Sequence, residues 1–392
     1  MSTPFGFPSG MDPEALRDAP LFKELQRVMA SSSGPVNWEL ARQVGIATAV
    51  ESGGDPDPTD EDQRGLEAAV RVAELQVASF TGLEAPGDVV RVRGVRRAEW
   101  VTANAASLQG LLEPAARRMS EAMERAMREQ MPQELGAMGA LLGQLGPLLQ
   151  GTQVGQVLGV LAQQVLGQYD VAVPREGAGT LLFVVPNLAA FEKDWSLDPT
   201  EFRTYVALHE VTHRFEFARP WARERFVELV DDFLVTLTID VGAMQERLSA
   251  LDPSDPEALQ RALGGEEEGA LFGTVLDDEQ RLKLARVQAF MAAAEGYGDH
   301  VMHGVGAGLL GSYARIAEAM TRYRDGEHAD PVFERLLGID MKREQYALGR
   351  RFCDTVTSEA GEAMLARMWD SAEAMPSLVE LEEPTLWLSR TV

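Results

Sequence analysis

The run Asp198-Pro199-Thr200-Glu201-Phe202-Arg203-Thr204-Tyr205-Val206-Ala207-Leu208-His209-Glu210-Val211-Thr212-His213 decides how this chain is read. Asp198 is a good helix N-cap, Pro199 suits the first helical position, and Glu201 stands at capping-box spacing. The helix that starts there carries Phe202, Val206, His209 and His213 on one stripe. HExxH on a helix puts two imidazoles one turn apart on the same face, the geometry for two ligands of one zinc ion. Glu210 between them is placed to act as a general base on a water.

Farther along, Glu295-Gly296-Tyr297-Gly298-Asp299 lies in a second helical pattern. Glu295 and Asp299 are four residues apart and share a helix face. Glu295 is therefore the expected third ligand. Asp299 is the expected carboxylate that hydrogen-bonds the far nitrogen of a ligand histidine, fixing its ring and raising its basicity. His300 and His303 are rival ligands, and Asp277 is a more distant one. The chain has five histidines, and four of them, His209, His213, His300 and His303, fall within or beside the two motifs. That clustering is informative in so histidine-poor a sequence.

The longer pattern HExxHxxGxxH is absent, because Glu216 occupies the glycine position and Arg219 that of the last histidine. This excludes the simplest metzincin reading. HExxH followed by ExxxD resembles instead the gluzincins such as the thermolysin group, although Arg214 is charged where that group usually has an uncharged residue. A metal-assisted hydrolysis would also need an oxyanion donor. Tyr297, His300, His328 and Tyr346 are the residues at hand.

The rest of the chain reads as mainly α with a few short strands. Asn37 is placed to cap one helix, and Thr59 or Asp60 another that runs through Phe80. Residues 89–102 read as a short strand or connector, and Asn104 to Gln130 as a helix with a solvated charged face. Leu135 to Tyr169 holds no charged residue, but its repeated Gly, its glutamines and Pro147 argue against a lipid-facing span. We expect a buried helical hairpin there, with Gly139/Gly143 and Gly155/Gly159 allowing close helix approach. Residues 180–186 form the clearest strand, closed by Pro186 with Asn187 as a turn residue. That strand is expected either to pair with an extended peptide through its edge or to lie in the core. Residues 251–282 are acidic and turn-rich. In domain terms the expectation is a loosely held segment over residues 1–35 and one zincin-like unit over residues 36–392. That unit is divisible into a helical part, 36–175, and a metal-site part, 176–392.

Among 392 residues there are 36 basic and 61 acidic ones, a net charge of −25. Nucleic acids and anionic membranes reward basic surfaces, so neither is expected as a partner. The single cysteine, Cys353, allows no intrachain disulfide framework, which fits a cytoplasmic setting. The first ten residues have neither the basic nor the apolar region of a signal peptide.

A closer resemblance spans roughly Val36 to Arg390. It is carried by Val36-Asn37-Trp38 with Leu40-Ala41-Arg42, by Glu99-Trp100-Val101 and Asn104, and by Val185-Pro186-Asn187. It continues through the HEVTH run, Glu295-Gly296-Tyr297-Gly298-Asp299-His300-Val301-Met302 and Lys342-Arg343-Glu344-Gln345-Tyr346. Together these are similar to a zincin-like family of uncharacterised bacterial hydrolases, some of which carry a genomic label tied to coenzyme F420 biosynthesis. The resemblance implies a zincin-like metal site on a mainly helical fold, and no particular substrate. The function expected is a zinc-dependent hydrolase, most simply a metallopeptidase acting on a peptide or protein. The alternative is a non-catalytic zincin-fold binding or scaffold protein.

Overall fold

A computed structural model describes residues 34–51, 53–130, 136–169, 180–236, 277–325 and 343–391. Within them the chain is mainly helical with two short strands, as the sequence pattern implies. The expected acidic segment 251–282 lies outside the described residues up to 276, as do residues 1–33.

Local chemistry sets the helix starts. Asn37 accepts from the Leu40 N–H at 2.9 Å ahead of α1 (Trp38–Glu51). Thr59 and Asp62 form a reciprocal capping box at the start of α2 (Asp60–Thr81), and Gly82 closes that helix in the left-handed conformation that its missing side chain permits. Strand β1 (Arg91–Val95) leads straight into α3 (Arg97–Gln130), so the helix begins seven residues before Asn104.

The uncharged stretch forms one continuous helix, α4 (Gly136–Gln164), with Pro147 inside it, rather than the expected hairpin. The reason is its partner. Gly151, Gly155 and Gly159 lie against the backbone carbonyls of Asn37, just before α1, and of Ala41 and Gly45 on it, where a methyl group would come within 2.8 Å of a carbonyl oxygen or closer. Two helices separated in sequence thus supply the close approach that a hairpin would have made locally. No helix among the described residues is long and apolar enough to cross a membrane.

Strand β2 (Thr180–Val184) pairs with β1 in parallel, Arg91 opposite Thr180 through Val95 opposite Val184. This sheet joins the two expected parts of the chain. Residues Leu181 to Val184 are buried, so β2 is the core strand rather than a docking edge. The outer edge of β1 is covered as well: the Gln63 side-chain amide donates to Val92 O at 2.8 Å and accepts from Gly94 N at 3.0 Å, as a neighbouring strand would. Pro186 opens α5 (Val185–Asp194) rather than ending a strand in a turn. Asn187 is a buried helical residue whose side chain bonds Arg97, Ala162 and Val165.

The remaining elements are α6 (Pro199–Phe217), α7 (Pro220–Thr236), α8 (Asp278–Leu309), α9 (Tyr313–Asp325), α10 (Arg343–Ala360), α11 (Glu362–Ala366), α12 (Leu378–Glu382) and α13 (Pro384–Thr391). The core lies between α2, α6 and α8, and each fully buried Phe or Leu on these helices contributes about 1.5–3 kcal/mol.

Candidate metal centre

Every residue of α6 from Tyr205 to Phe217 is buried. An exposed helix would show a polar face; this one has none, so each charged side chain on it needs a partner. Asp198 caps the helix through the Glu201 N–H at 2.9 Å. The Glu201 carboxylate leaves the reciprocal position expected of it and instead accepts from Gly311 N and Ser312 N, pinning the end of α8. Ser312 holds it below the usual carboxylate range. Arg214, anomalous for the thermolysin group, is buried and tied to Glu74 on α2 at 2.8 Å and to Asp88 at 2.9 Å. Its charge fastens the helix to its neighbours.

One donor atom each from His209, His213 and Glu295 lies within 4.8 Å of the other two. His213 Nε2 has no hydrogen-bond partner and stands 3.7 Å from Glu295 Oε1. That is too long for a hydrogen bond but close to the roughly 3.4 Å expected between two ligands of one tetrahedral zinc ion. The donor set, two imidazoles and a carboxylate, is of the kind that zinc takes. The residues present therefore fit the metal that the motif implies.

The glycines around Glu295 explain how it arrives there. At Gly296 a side chain would strike the α10 backbone at Gly349, and at Gly349 it would strike the carbonyl of Ala292 on α8. The two helices therefore cross backbone to backbone. Gly298 faces the opposite way, where a methyl group would touch His213 Nε2 at 3.5 Å and His209 Nδ1 at 3.9 Å. One glycine seats the helix, and the other keeps space beside the imidazoles.

The far nitrogen of His213 is taken by a residue the sequence reading had passed over. Glu216 Oε2 lies 2.7 Å from His213 Nδ1, and both side chains are fully buried. Glu216 was noted only for breaking the metzincin pattern, yet its i,i+3 spacing from His213 already put the two on one helix face. Burial works against a charged His213, but Glu216, Glu295 and Glu210 outweigh it, and the imidazole is pushed up to about 10. Burial also raises Glu216 against the pull of His213. Three carboxylates around two histidines make a strongly cation-seeking site. Arg219 is half-buried nearby; burial lowers it while Tyr297 and Glu216 support its charge.

Glu210 is fully buried. Its Oε2 accepts two backbone N–H groups, Gln168 at 2.8 Å and Tyr169 at 2.9 Å. The Tyr169 ring packs beside His213, 5.8 Å between centroids, and stacks on Phe217.

The other nominated residues separate clearly. Asp299 is half-buried on α8, and its charge reaches Tyr313 and Cys353. His300 is held between Asp354 at Nδ1 and Glu362 at Nε2, both at 2.9 Å, so neither ring nitrogen faces the donor cluster. His303 is exposed, 3.2 Å from the Tyr313 hydroxyl. Asp277 caps α8 in a capping box with Gln280, about 27 Å along the helix from Glu295. Tyr297 is buried with its ring against Trp369, and burial followed by Glu216 raises its phenol well above the usual range. His328 lies outside the described residues, as does the side chain of Tyr346.

The sequence profile of a family described as zincin-like metallopeptidase matches residues 36–388. Among solved structures, the chain is similar to the crystal structure of a candidate hydrolase with a novel fold from Chloroflexus aurantiacus. The two are 30% identical with a TM-score of 0.65, over 91% of this chain and 98% of that one. No curated protein matches the chain.

Proposed function

The chain belongs to the zincin-like metallopeptidase family, and on that premise we propose that it is a zinc-dependent hydrolase that cleaves a peptide or protein. The observation that carries this reading is the convergence of His209, His213 and Glu295, with their donor atoms within 4.8 Å and Glu210 buried beside them. His209 and His213 would present ring nitrogens to the ion and Glu295 a carboxylate oxygen. Zinc, when bound, supplies Lewis acidity that polarises a carbonyl and acidifies water.

The chain's own residues do the rest. Glu210 takes the proton of the attacking water and passes it to the leaving amine. Glu216 holds the His213 ring through Nδ1, so that Nε2 faces Glu295. Asp299 is the residue we assign to the same task at His209. Of the nominated polar residues outside the ligand set, His303 is the exposed one, paired with the Tyr313 hydroxyl, and that pair is our choice for stabilising a developing oxyanion.

A second reading, a non-catalytic zincin-fold scaffold, draws on the two backbone N–H groups that Glu210 accepts, since a purely structural carboxylate would be held in the same way. Glu210→Gln separates the two. Digestion of a peptide library by the zinc-loaded chain, read by mass spectrometry, is expected to fall about 100-fold or more in the variant while zinc content stays unchanged. Undiminished hydrolysis would remove Glu210 from the role of base.

A further inference from the structure

We propose that the backbone of Gly167-Gln168-Tyr169 is the positioning element for the general base, and that residue 167 is glycine because Glu210 occupies the space its side chain would take. The inference rests on the assignment of Glu210 as the base. A Cβ on Gly167 would come closer than 3.0 Å to Oε1, Cδ and Cγ of Glu210. The next two N–H groups both end on Oε2. The carboxylate is thus held through one oxygen, with its plane fixed and its other oxygen packed against a residue without a side chain. Backbone donors do not titrate and do not rotate, so they fix the direction of the base more firmly than a side-chain donor would.

Within the described residues, the segment and the chain leading into it are anchored several times. Trp100 Nε1 donates to Gly167 O at 3.2 Å, and Gln168 Nε2 donates to Asn104 Oδ1 at 3.1 Å. Asn104 in turn donates to Trp100 O at 2.9 Å, so the two α3 residues are braced together. Val184 N donates to Leu166 O at 2.9 Å, tying the segment to β2. Asn187 Nδ2 donates to Ala162 O and Val165 O at the end of α4. Glu99-Trp100-Val101, Asn104 and Val185-Pro186-Asn187 stood out in the sequence without a role; Trp100, Asn104 and Asn187 all hold this segment. A strap poised to swing away would not be fastened at five points.

The test uses the full-length, zinc-loaded chain. Amide hydrogen exchange at Gln168 and Tyr169 is expected to speed up about tenfold or more in Glu210→Ala, with exchange at Leu158 to Ala162 unchanged. Gly167→Ala is expected to lower kcat on a responsive peptide about 100-fold, with KM and zinc content near those of the parent. If Gly167→Ala does not fold, Trp100→Phe keeps the packing and removes one anchor, and kcat is expected to drop about tenfold at unchanged zinc content. Unaltered exchange at 168–169 in Glu210→Ala would overturn the proposal alone. So would an unchanged or increased kcat in Gly167→Ala, the second being the mark of a displaced lid. Hydrolysis that survives Glu210→Gln while the exchange effect appears would overturn the base assignment, and the proposal with it.

Discussion

His213 and His300 are both imidazoles flanked by two carboxylates, yet they are put to opposite uses. His213 bonds Glu216 through Nδ1 at 2.7 Å and leaves Nε2 at 3.7 Å from Glu295. His300 spends both nitrogens, on Asp354 and Glu362 at 2.9 Å each. The first has a gap the size of an ion between ring and carboxylate; the second is a closed knot that ties α8 to α10 and α11. In sequence both are candidate ligands, His213 within the HExxH run and His300 as a rival of Glu295 for the third place. What separates them is one uncommitted ring nitrogen, which only the crossing of α8 over α10 decides.

Within this pair, the larger effect should come from Glu216, the carboxylate that holds the His213 ring. Glu216→Gln is expected to weaken zinc binding about 10- to 100-fold in a chelator competition, because an amide holds the His213 ring less firmly and lowers its basicity. Glu362→Gln, the matching change at His300, should leave zinc affinity unaltered. Equal losses in the two variants would break the comparison.

A smaller effect sharpens it through pH. Burial opposes a charge on His300, but Glu362 and Asp354 outweigh burial and raise it above the usual 6.5. A raised folded value means that the stabilisation is complete below about 6.5 and fades as pH climbs through the folded value. The stability difference between the parent chain and His300→Asn, measured by denaturant unfolding, should therefore be larger at pH 6 than at pH 9. A difference that grows toward pH 9 would show that His300 is held neutral.

Much of the site was legible because it is local. Asp198 and Pro199 place the start of α6, and one helical turn relates His209 to His213. Glu216 was legible in the same sense, three residues past His213, but it was weighed only against the metzincin glycine it replaces. Asp277 shows the reverse error: an acidic residue considered as a ligand is a helix cap, signalled by Gln280 three residues on. What the sequence could not show depends on distant backbone. Gly349 meets Gly296 from 53 positions away, and Gln168 reaches Glu210 from 42. The single helix α4 was misread because its glycines answer to residues at the start of α1, more than a hundred positions earlier in the chain. Pro186 was misread because proline opens a helix as readily as it ends a strand.

The most direct test of the central claim is zinc content, measured by elemental mass spectrometry after dialysis against a fixed free-zinc concentration. Parent chain, Glu295→Ala and His300→Asn would be compared side by side. The account predicts one zinc per chain in the parent and in His300→Asn, and almost none in Glu295→Ala. Zinc retained in Glu295→Ala but lost in His300→Asn would move the third ligand to His300 and contradict the site described here.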